Sequence, residues 1–138
     1  MNLIINAIEE TDYEKFVEWG KFFKFPFPPK NMLPSNALGG LKITNEDGID
    51  VCAGYLYETN SDIAWLEWII SNPNVKDKTQ RKEALTELIY YLTLHAEQKG
   101  YKAVFSSIKE EGLIEKYKLN GYSESKRSSK ELVINLNT

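Results

Sequence analysis

Apolar residues recur along this chain with two periods, and the switches between them predict its elements. Leu3 to Ile8 is a short apolar run stopped by Glu9-Glu10 and reads as a strand. Thr11 followed three residues later by Glu14 predicts a capped helix start. Tyr13, Phe16, Val17, Gly20 and Phe23 then recur at helical spacing and give that helix a bulky aromatic face. Phe25-Pro26-Phe27-Pro28-Pro29 ends it, because proline removes a donor and clashes with a helix interior. Lys24 to Gly40 is the longest stretch without a period, punctuated by Pro34 and Gly39-Gly40. A loop of that length in a compact domain is usually functional or mobile.

Leu41 to Thr44 and Val51 to Tyr57 read as strands of a hairpin turning at Glu46-Asp47-Gly48. Thr59-Asn60-Ser61-Asp62 leads into Ile63 to Ile70, a strand apolar on both faces and so expected at the sheet centre with helices on each side. Glu67 is its one charge. After Ser71-Asn72-Pro73, a helix is predicted from about Arg81 to Lys99, closed by Gly100. Ala84, Leu85, Leu88, Ile89, Leu92 and Ala96 form its apolar stripe. Tyr101 to Ser106 reads as a strand, and Leu113, Ile114 and Tyr117 as one face of a further helix that stops at Asn120-Gly121. Tyr122 to Glu124 and Glu131 to Leu136 are expected to pair as a terminal hairpin across Lys126 to Lys130.

Length and composition narrow the reading. With 138 residues, 42% hydrophobic and 27% charged, the chain is expected to be one globular domain over 1–138. A net charge of −3 gives no electrostatic footprint for nucleic acid or an anionic membrane. The N-terminal run has no basic lead or cleavage site, and no apolar run is long enough to span a bilayer. A lone cysteine, Cys52, excludes an internal disulfide and fits a reducing cytoplasm. It reads as a small buried hydrophobe without an activating base. His95, the only histidine, flanks the long helix's stripe and reads as a partly buried structural residue. No zinc, calcium or phosphate-loop spacing occurs, so no metal is expected.

The element order, the proline-containing loop after the central strand, the long helix ending at Gly100, and Tyr117-Lys118-Leu119-Asn120-Gly121-Tyr122 together resemble the GNAT superfamily of N-acetyltransferases. The last stretch parallels that family's Tyr-x-x-x-Gly-Phe ending, with tyrosine for phenylalanine. Small phage-borne members are the nearest likeness. The resemblance implies an α/β (α+β) fold: a mixed central sheet flanked by helices, with two central strands splayed apart. It implies acetyl-CoA as cosubstrate, its pantetheine in the gap and held by the main chain of Trp68, Ile69 and Ile70. One of those N–H groups would polarise the thioester carbonyl as an oxyanion-hole donor does.

By the same resemblance, Tyr117 would protonate the departing thiolate, and a desolvated Glu67, or water beside it, would take the proton of an amine acceptor. The cofactor's phosphates would lie at the start of the long helix, at Lys78, Gln80, Arg81, Lys82, Glu83 and Ala84. The family's Arg/Gln-x-x-Gly-x-Gly/Ala pattern finds Gln80 or Arg81 and Ala84 here but no middle glycine; Cβ atoms narrow that cradle. Lys76, Lys78, Arg81 and Lys82 nonetheless crowd a helix end whose dipole favours anions, an arrangement an anionic guest would stabilise.

Residues 25–40, with Phe25, Phe27, Met32 and Leu33, stand where the family builds its acceptor pocket. The acceptor itself, a small molecule or a protein, is not legible. The competing expectation is a decayed member of the same fold that binds a protein partner through aromatics around Trp19, Phe22 and Phe27.

Overall fold

The structure, a computed structural model, describes residues 2–136. Five strands, β1 (Ile4–Ala7), β2 (Gly40–Thr44), β3 (Asp50–Tyr57), β4 (Ile63–Ser71) and β5 (Ala103–Phe105), form one sheet in the order β1-β2-β3-β4-β5. The first four are antiparallel neighbours. β5 is parallel to β4, which requires a crossover, supplied by α2 (Lys78–Gln98). The other helices are α1 (Asp12–Phe22) and α3 (Glu111–Leu119).

Each face of the sheet carries its own core. α2 and α3 cover one face, with Ala84, Leu88, Ile89, Leu92 and Tyr117 against Ile43, Cys52, Leu56, Ala64 and Leu66. This is the stripe the helical period predicts. α1 and the segment after it cover the other face, burying Phe16, Trp19, Leu33 and Ala37 on Ala53, Tyr55 and Ile70. Cys52 is fully buried and burial pushes its thiol up, as a small core residue requires. Turns fall where expected: Gly48, Gly100 and Gly121 all have positive φ.

Several expectations need correction. α1 starts without a side-chain cap from Thr11; instead Asp12 Oδ2 accepts the Glu9 amide at 2.8 Å. α2 begins at Lys78, three residues before the predicted start at Arg81, because Asp77 caps it. His95 is exposed on the last turn of α2. The terminal hairpin is absent: residues 122–136 contain no strand, and Leu132, Val133, Ile134 and Leu136 are exposed. Nor is β4 covered on both sides along its length, since Ile63 and Trp65 remain exposed. Trp19 is buried, so the three aromatics suggested as an interface do not form one surface.

Candidate functional site

The site is built by what β4 does halfway along its length. It pairs with β5 only at Ile63, Ala64 and Trp65, although it continues to Ser71; β5 ends at Phe105, so the ladder stops there. On its other side the register against β3 jumps from Tyr55↔Glu67 to Ala53↔Ile70, three steps on β4 against two on β3. Trp68 takes up the extra residue with φ of 59°, a bulge that bends the strand and re-aims its side chains. Glu67 and Trp68 therefore share the α1 face, while Ile69 turns to the α2 face. Gly54 makes room for this: a Cβ there would lie 2.4 Å from the Ile69 side chain.

Two serines at the end of β5 tie the two strands together. Ser106 Oγ donates to the Leu66 carbonyl at 2.6 Å, so the 2.9 Å bond between Tyr117 and Ser106 is donated by the phenol. Ser107 N–H donates to Glu67 Oε1 at 3.0 Å, and the Trp65 indole donates to the same oxygen at 2.7 Å. Tyr117 and Glu67, on opposite faces of the sheet, are thus bonded to consecutive residues, Ser106 and Ser107. Tyr117 is buried, and its packing on Tyr122 is edge-on with centroids 4.9 Å apart. Burial pushes its phenol up, only partly countered by Ser106, so the proton stays on. Burial also raises the half-buried Glu67 carboxyl above the usual carboxylate range, with Trp65 and Ser107 pulling the other way.

Trp68 is fixed by side-chain contacts. Its indole donates to Tyr57 Oη at 2.9 Å, Tyr57 donates in turn to the Met32 carbonyl at 2.8 Å, and Phe25 and Phe27 abut the ring. Among the residues expected to shape an acceptor pocket, Leu33 is buried, Phe27 half-buried, and Phe25 and Met32 exposed beside this corner.

The start of α2 departs from the expected phosphate cradle. Asp77 Oδ1 accepts the amides of Thr79 and Gln80 at 3.0 and 3.1 Å. Two of the N–H groups that a diphosphate would use are therefore held by the chain's own carboxylate. Gln80 accepts from the Asn45 side chain at 3.0 Å, and Ala84 is fully buried in the core. Lys76 reaches away, over the Phe22 ring at 5.6 Å. Lys78, Lys82 and Glu83 are exposed and Arg81 half-buried. The donor set that fits phosphates here is the side chains of Lys78, Arg81 and Lys82, not a backbone nest.

Among the described residues no group of metal-ligating side chains comes together, and no helix is long and apolar enough to cross a membrane. Sequence reasoning missed Trp65, Ser106, Ser107 and Gly54. The adjacent serines at the end of a strand-like run were the one visible signal; the bulge left none.

No protein-family model matches the chain, and no curated protein matches it. Solved structures do. Glucosamine-6-phosphate N-acetyltransferase from Arabidopsis thaliana superposes with a TM-score of 0.65 at 15% identity, over 96% of this chain and 99% of that one. A GNAT family acetyltransferase from Staphylococcus aureus gives 0.58 at 13%, over 96% and 100%. N-acetylglutamate synthase from Neisseria gonorrhoeae, complexed with coenzyme A and N-acetyl-glutamate, gives 0.61 at 11%, over 77% of this chain and 25% of that one. The likeness is one of fold: a five-stranded mixed sheet flanked by three helices, as in the GNAT acetyltransferases.

Proposed function

We propose that this chain is an N-acetyltransferase that moves an acetyl group from acetyl-CoA to an amine by direct transfer. The observation that supports the reading is the end of the β4–β5 ladder at Trp65 and Phe105, flanked by a protonated phenol bonded to Ser106 and a half-buried carboxylate bonded to Ser107. An extended acyl-pantetheine arm suits the gap beside Trp68, Ile69 and Ile70, and Lys78, Arg81 and Lys82 suit its phosphates. Glu67 accepts the proton of the incoming ammonium. The amine nitrogen then forms its bond to the acetyl carbon as the carbon–sulfur bond breaks. Tyr117 delivers a proton to the sulfur and is restored, through solvent, by the second proton that the acylated nitrogen sheds, so the net transfer is acetyl to nitrogen and hydrogen to sulfur. Holding both reactants together supplies most of the rate, and the two proton transfers supply the remainder.

One observation favours a second reading, a non-catalytic module on the same scaffold: Asp77 already caps the helix that would hold the phosphates. Binding separates the two. Titration calorimetry with acetyl-CoA should give saturable binding, weakened at least about tenfold by Arg81→Glu with Lys82→Glu, since each lost contact to a phosphate carries a charge-assisted bond. Absence of binding by the parent chain, with no thermal shift, would remove the transferase reading, and a defined partner released by a Phe27 charge substitution would then establish the module.

A further inference from the structure

α1 and residues 23–39 cover the sheet over β1–β3 and the far half of β4, but they stop short of the corner where β4 meets β5. There the registers Tyr57↔Trp65 and Trp65↔Phe105 set three aromatic residues in a row across three strands. Trp65 and Phe105 stack with centroids 5.7 Å apart and planes 25° from parallel, yet remain 37% and 48% exposed. Two residues along β4, Glu67 closes the end of the row. The Trp65 indole and the Ser107 amide both donate to Oε1, and the Trp68 amide also acts on the carboxylate. Among the described residues no lysine or arginine pairs with it. Glu131 on the exposed C-terminal segment only adds to the rise of its carboxyl that burial causes first.

A half-desolvated carboxylate beside exposed aromatic faces offers what an organic ammonium needs. The carboxylate pairs with the charge, and the rings attract the cation and cover its apolar stem. Simple apolar docking would not call for the carboxylate, and an anionic guest would be repelled by it. We infer that this corner is the acceptor subsite and selects a primary ammonium on an apolar stem, of arylalkylamine type, over amines that also carry carboxylate or phosphate. Its role as an acceptor subsite rests on the transferase reading; its test does not.

The intact chain is titrated with 2-phenylethylamine, cationic at neutral pH, and with neutral 2-phenylethanol, while the Trp65 indole N–H and Ser107 amide are followed by two-dimensional NMR. Both resonances should shift saturably with the amine, and the alcohol should bind roughly tenfold more weakly, the scale of one charged pairing. Glu67→Gln and Trp65→Leu, each checked for native circular dichroism, should weaken the amine by a similar factor at Ser107. Equal binding of amine and alcohol, or an unmoved Ser107 amide in the parent, overturns the assignment whether or not the variants fold. Amine binding without acetyl-CoA binding would keep this site and remove the transferase reading. Acetyl-CoA turnover on other amines without phenylethylamine binding would do the reverse.

Discussion

Tyr117 and Glu67 are set to opposite tasks by one physical term. Burial disfavours the charged form of each, so the phenol holds its proton and the carboxyl is lifted toward the range where it can both take and release one. Tyr117→Phe should keep the ring packing but break the relay to Ser106. We expect a loss of about 1 kcal/mol in urea unfolding and a fall of about 100-fold in thiol release from acetyl-CoA; unchanged turnover would reduce Tyr117 to packing. For Glu67 the sign of the pH effect is fixed by its raised carboxyl. A native state that holds the proton more tightly than the unfolded chain has that stability in full below the ordinary carboxylate range. It loses it as pH rises through the raised value. Glu67→Gln should therefore melt above the parent at neutral pH, and the difference should close in acid below about pH 4. Tyr117 and Glu67 were both legible in the sequence, one from a tyrosine–glycine spacing and one as a lone charge in an apolar run. Ser106 and Ser107 were not, because a serine's role depends on which carbonyl or carboxylate the fold brings within reach.

At the scale of elements, the long helix shows how a cap and a binding site compete for the same amides. Asp77 satisfies Thr79 and Gln80 and puts a negative charge where a diphosphate would sit. Asn caps a helix about as well as Asp, so Asp77→Asn should change stability by less than about 0.5 kcal/mol. It should also tighten acetyl-CoA severalfold by removing the repulsion; calorimetry and thermal melts measure the two effects separately. The helix stripe, its glycine stop and the hairpin at Gly48 followed from periodicity and turn chemistry. The helix start did not, since the apolar stripe begins about two turns after the cap. The predicted terminal hairpin failed for a related reason. β-prone residues such as Val133 and Ile134 form a strand only where a neighbouring edge and an apolar surface receive them, and here they lie in solvent.

At the scale of the molecule, the two layers are joined by buried ions as well as by apolar contact. Lys42 on β2 binds Asp12 on α1 and Asp50 on β3, and Lys15 on α1 binds the same two carboxylates. Burial opposes ionisation of Asp12, but the Glu9 amide, Lys42 and Lys15 outweigh it and hold its carboxyl below the usual range. The stability it adds is present above that range and is lost as pH falls through the depressed value. Asp12→Asn keeps the amide contact but leaves Lys42 with less than its complement of charge, so we expect a loss of about 3 kcal/mol by chemical denaturation. A loss under 1 kcal/mol would show that water compensates the pair. This network keeps α1 on the sheet, and α1 in turn decides which stretch of β4 is covered and which corner stays bare.

The sequence by itself determined the order of the five strands and three helices up to residue 121, and the apolar stripe that the long crossover helix buries. These depend on contacts a few residues apart, where period and turn chemistry act directly. Only the tertiary structure decided that β4 bulges at Trp68, that its ladder with β5 stops at Trp65, and that Trp65 and Phe105 face solvent. Each of these depends on register, and in a strand one inserted residue moves every later side chain to the opposite face. No local pattern records that choice; it is made by what packs across the sheet.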